Sequence, residues 1–119
     1  MAELVVLVLN NPAQTGDVLD AWLAAGMSGV TILHSTGLTH HVGKRGVGDD
    51  LPLFPSLADL LQGREEPHRT LFAVVTDGLD VAALVNATEI ITGPLDEPNT
   101  GIVFVVPVRR AWGLHRTSA

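Results

Sequence analysis

Four short apolar runs constrain this chain more than any other feature: Leu4–Leu9 (LVVLVL), Gly29–Leu33 (GVTIL), Thr70–Val75 (TLFAVV) and Gly101–Val108 (GIVFVVPV). Each has the length and β-branched character of a strand, and none alternates cleanly between apolar and polar residues. A strand with one wet face alternates, whereas a strand covered on both faces reads as a solid run. Only two segments have the helical spacing needed to supply cover. In the first, Thr15 stands as N-cap, Asp17 lies in the first turn, Val18, Leu19, Trp22 and Leu23 share a face, and Gly26 ends the helix. The second runs from about Leu79 to about Thr88 and carries Val81, Leu84, Val85 and Thr88 on its apolar face. Two helices cover one face of a four-stranded sheet. The other face is left for copies of the same chain.

The order is β-α-β, a long connection, then β-α-β. Right-handed crossovers place both helices on one side, so the expected architecture is the ferredoxin-like split βαβ of the α+β class, with a four-stranded antiparallel sheet. The whole of residues 1–119 reads as one domain. The chain is 46% apolar and only 17% charged, which suits burial in an assembly. A net charge of −6 speaks against nucleic-acid binding. The apolar runs fall far short of the roughly 20 residues that cross a bilayer. The N-terminus enters the first strand with no basic leader, and the sequence has no cysteine, so the expected setting is cytoplasmic, without membrane insertion.

The connection at about 36–69 is too long for a passive turn. Gly37–Asp50 is polar and glycine-rich and contains Lys44 and Arg45, a possible anion contact; a solvated loop is the simpler reading of Gly43–Gly48. Leu51–Gly63 is apolar, and Ser56 with Asp59 resembles a capping box for a short helix. That helix is expected to pack on its own domain, the alternative being a docking element. His34, His40 and His41 lack the cysteine or carboxylate spacing of a structural metal site, so no metal ligand is assigned. Trp22 and Trp112 are both expected to pack. Asp96 and Glu97 lie in a proline-flanked loop, a poor place for acid–base work, and no nucleophile-and-base pattern is visible. The expectation is therefore a binding protein and not an enzyme.

Three short motifs add to this. Phe104-Val-Val-Pro-Val108 resembles the FVxPV of the final strand in the nitrogen-regulatory PII signalling proteins and their PII-like relatives. Thr92-Gly93 resembles the start of that family's nucleotide loop, TGxxGDGK-[IV]-F, and Thr36–His41 stands where the family has KGFGRQ. The long connection coincides with the family's T-loop. The resemblance implies a homotrimer with effector sites between subunits, an adenine nucleotide being the usual effector. It also implies a protein partner met through the central loop. Carried over by position, Gly37, Leu38, His40, His41, Thr92, Gly93 and Gly101 would line the ligand, with Arg109 or Arg110 close by. The chain departs from the family at Asn99-Thr100-Gly101-Ile102, where Ile102 replaces the phosphate lysine, and it has no tyrosine for loop modification. No resident cofactor is assigned. The competing readings are a PII-like trimer that recognises another small anion or a metal, and a purely structural interaction module.

Overall fold

A computed structural model describes residues 2–38 and 65–114. The elements are β1 (Ala2–Leu9), a 3-10 helix (Pro12–Gln14), α1 (Thr15–Ala24), β2 (Thr31–Leu38), β3 (Glu65–Val75), α2 (Val81–Thr92) and β4 (Gly101–Val108). The four strands form one sheet in the order β2-β3-β1-β4 with every neighbouring pair antiparallel. This is the expected split βαβ arrangement. Residues 39–64, and with them His40, His41, Lys44, Arg45 and the Ser56 capping box, lie outside the described residues.

Cross-strand partners point to the same face, so the register separates the two sides of the sheet. The helix-covered side carries the rows Ala73–Val5–Val105 and Ile32–Leu71–Leu7–Val103. Val5, Leu7, Leu9, Leu71, Ala73 and Val75 close on Val18 and Trp22 of α1 and Leu84 of α2 to form the core. The other side carries the rows Val74–Leu4–Val106, Thr31–Phe72–Val6–Phe104 and Leu33–Thr70–Val8–Ile102. No described helix covers these rows, and Leu33, Phe104, Val106 and Ile102 are exposed. The solid apolar runs thus have one face in the core and one open.

The helices meet through a buried polar contact. The Trp22 indole N–H donates to Thr88 Oγ at 2.8 Å, and the Thr88 hydroxyl donates to the Leu84 carbonyl at 2.8 Å. Both residues are fully buried, and this pairing satisfies polar atoms that would otherwise be costly inside a core.

Several boundaries differ from the sequence reading. Thr15 is not the cap of α1: its hydroxyl donates to the Pro12 carbonyl, and Asn11 instead accepts from the Ala13 N–H to start the 3-10 helix. Leu23 is exposed, being turned away from the core at the end of α1. α2 is capped by Asp80, which accepts from the Ala83 N–H, and runs on to Thr92. β2 extends to Leu38, and β3 begins at Glu65, well before the apolar run. Those polar residues pair only with each other: Ser35–His68, Thr36–Pro67, Gly37–Glu66 and Leu38–Glu65 form a two-stranded ribbon beyond the end of β1. Lying past the core, the ribbon needs no apolar pattern.

Candidate functional site

The predicted ligand residues fall in three places on the protomer. Gly37 and Leu38 close β2 at one corner of the sheet. Thr92, Gly93 and Gly101 stand at the other corner of the same end, because Gly101 pairs with Leu9 at the end of β1. Three strand spacings separate the two corners sideways, about 14 Å, and Gly37 lies three residues, about 10 Å, further along the strand direction than Gly101. Arg109 and Arg110 follow β4 at the opposite end of the sheet, where Val108 pairs with Ala2, about 24 Å away along the strand. Among the described residues of one protomer, neither the two corners nor the arginines are joined into a single pocket.

The corner formed by α2 and β4 is rigidly built. Gly93 ends the helix at φ 87°, a left-handed conformation that suits glycine, and its N–H donates to the Glu89 carbonyl at 2.8 Å. The Glu89 carboxylate accepts from the Leu95 N–H at 2.8 Å, and Glu97 N–H closes a turn onto the Pro94 carbonyl at 3.1 Å. Gln14 donates from its side chain to the Ile91 carbonyl at 3.2 Å, which ties the 3-10 helix to the end of α2. The Thr92 hydroxyl is engaged with the Gly93 carbonyl at 2.8 Å. Gly101 has φ 150°, and a Cβ there would stand 2.7 Å from the Val8 carbonyl oxygen. Glycine at 101 therefore lets β4 close on β1.

At the other corner the structure adds a residue the sequence reading did not single out. His68 lies diagonal to Gly37 on the open side of the ribbon, and its ring fills the space a Cβ on Gly37 would need. A strand glycine signals close approach of another group. Here that group is an imidazole of the same chain, and only the register reveals which one. Beside it, Ser35 and Thr70 share a hydroxyl hydrogen bond at 2.9 Å on the same face. His34 is exposed on the other face, opposite Arg69, whose guanidinium donates to the His68 carbonyl at 2.9 Å.

At the far end, Arg109, Arg110 and Trp112 line an open depression of about 510 Å³. Trp112 is 84% exposed, so the packing expected of it is not made among the described residues. Among the described residues there is no group of three or more His, Asp or Glu side chains placed to hold a metal ion. No helix among them is long and apolar enough to cross a membrane.

No family model matches the chain, and no curated protein matches it in sequence. Solved structures do match. The Bacillus subtilis GlnK–ATP complex superposes with a TM-score of 0.58 at 13% identity, covering 87% of this chain and 78% of that one. Arabidopsis thaliana PII bound to citrate superposes with a TM-score of 0.59 at 20% identity, covering 90% of this chain and 77% of that one. With a four-stranded antiparallel sheet in the order β2-β3-β1-β4 and both helices on one side, the chain has the PII-like fold, at 13–20% sequence identity to these structures.

Proposed function

We propose that this chain is the subunit of a PII-like homotrimer that binds a small anionic effector in the clefts between subunits and signals to a protein partner through the connection at about 36–69. It acts by binding and not as an enzyme. The observation that carries the proposal is the open apolar face of the sheet, with rows of valine, leucine and phenylalanine that a lone protomer leaves in water. Packing three such faces together removes them from water and creates seams. Small-molecule sites form preferentially at such seams. The effector site then draws on Gly37, Leu38, His40 and His41 of one subunit and on Thr92, Gly93, Gly101 and an arginine, Arg109 or Arg110, from around the seam. Lys44 and Arg45 are available as further anion contacts.

The two similar structures hold ATP and citrate, both polyanions, which supports an anionic effector. Adenine nucleotide is the leading candidate class. A second reading is favoured by one residue: Ile102 stands where the family carries its phosphate lysine, and its side chain points to the open apolar face. A smaller anion, or a nucleotide with fewer phosphates, then binds better than ATP. Light scattering should give three copies per particle, and a thermal-shift series with ATP, ADP, AMP, citrate, bicarbonate and divalent metals should rank the effectors. A stable monomer at micromolar concentration refutes the trimer, and a trimer that no anion stabilises refutes the sensing role.

A further inference from the structure

The two ends of β4 carry opposite charge, and each end is built to present it. Asp96 and Glu97 are exposed on the turn before β4, held by the Glu89–Leu95 and Pro94–Glu97 hydrogen bonds. Arg109 and Arg110 are exposed just after β4, beside the exposed indole of Trp112. Among the described residues none of these four charged side chains has an ion-pair or hydrogen-bond partner. About 24 Å of strand separates the two patches, so they cannot meet within one chain.

From this we infer that the Arg109–Arg110–Trp112 depression of one copy receives the Asp96–Glu97 turn of the next. The occupant is a second copy of this chain, chosen by charge complementarity. Two different patches on one chain make a head-to-tail contact, and such a contact gives a ring where its rotation closes, as the three-fold packing of the open faces requires. A two-fold dimer built on either patch sets arginine against arginine or carboxylate against carboxylate, and like charges across an interface are strongly unfavourable. The same charges that join the ring therefore oppose the dimer. Trp112 supplies the apolar anchor: tryptophan and arginine are the side chains that most often carry binding energy at interface centres. The turn arrives already ordered by its own hydrogen bonds, so little conformational freedom is lost on docking. This inference rests on the trimer proposed above and names its seam.

The test uses the full chain and two readouts, light scattering for assembly and acrylamide quenching for Trp112. Trp22 is fully buried, so quenching reports Trp112. Three variants are compared with wild type: R109E/R110E, D96K/E97K, and the four changes combined. Each two-residue reversal should raise the concentration for half-assembly about tenfold or more and expose Trp112 to quencher. The combined swap should restore both readouts. Should a reversed variant fail to fold, as judged by circular dichroism, wild type in 0.5 M NaCl provides the second measurement: screening should weaken assembly in the same direction. A wild-type trimer indifferent to salt and to both reversals overturns the seam and leaves the trimer standing. Reversals that leave assembly unchanged overturn it, whatever they do to the binding of ATP or citrate. A wild-type monomer overturns the trimer and the seam together.

Discussion

Val105 and Val106 are neighbours in β4 and face opposite sides of the sheet, which makes them a matched pair of probes. Val105 lies in the row with Val5 and Ala73 and packs on the core, whereas Val106 lies in the row with Leu4 and Val74 on the open side. Val106→Asp leaves the core untouched. Val106 is already 41% exposed, so in assembly it loses only the remaining accessible part, somewhat under half of the ~2 kcal/mol available from burying a valine side chain. The larger effect is the carboxylate, which in an apolar seam lacks a partner and costs several kcal/mol. At about 3 kcal/mol per copy, three copies shift the trimer equilibrium by roughly 9 kcal/mol, or about six powers of ten. Val106→Asp should therefore give a folded monomer. Val105→Asp should unfold the chain, because the charge enters the core. Light scattering reads the first outcome, and far-ultraviolet circular dichroism with a thermal melt reads the second. A Val106→Asp protein that is still trimeric at micromolar concentration, with a wild-type melt, refutes the buried-face argument.

Three other substitutions probe the protomer. Gly37→Ala should cost at most about 1 kcal/mol, since the His68 ring it meets is the far end of a half-buried side chain that can swing aside, and His68→Ala in the same chain should remove that cost; a double-mutant cycle by urea denaturation measures the coupling. Additive effects would show that the ring and the glycine do not interact. Thr88→Val should cost about 1–3 kcal/mol by leaving the buried Trp22 N–H without an acceptor, and should cost more than Thr88→Ser, which keeps the hydroxyl; equal losses in chemical denaturation would count against the hydrogen bond. Gly101→Ala should lower the melting temperature by several degrees, since the methyl group meets the Val8 carbonyl and the backbone there is left-handed; an unchanged melt in calorimetry contradicts that register.

The architecture was legible because its cause is local. Leu4–Leu9 and Thr70–Val75 are solid apolar runs, and the structure shows why: both their faces are apolar, one against the helices and one open. Val18 and Trp22 lay at helical spacing and are buried in α1. The polar half of β3 was not legible. Glu65-Glu-Pro-His-Arg69 has no hydrophobic signature, and it is a strand only because β2 runs alongside it. Threonine commonly caps, which is what Thr15 suggests in the sequence, but the preceding Pro12 starts a 3-10 helix one turn earlier and uses the hydroxyl differently. The candidate ligand residues were found one by one from resemblance, and their grouping was hidden. Nothing in linear order reveals that Gly37 and Gly101 sit at one end of the sheet while Arg109 sits at the other. His68 was invisible for the same reason, since its link to Gly37 is a diagonal across two strands.

The ribbon beyond β1 has a consequence for how the protein tolerates change. Leu38 and Glu65 are paired, so the chain leaves the sheet and re-enters it one strand spacing away. The stem between Ser35 and His68 already fixes both ends of whatever connects them. Loop-closure free energy between ends so anchored rises only with the logarithm of length, about 0.6 kcal/mol for each doubling. The paired stem, Ser35–Leu38 against Glu65–His68, thus stays constant whatever joins its ends. The joining sequence can be exchanged, lengthened or shortened at almost no cost to the sheet.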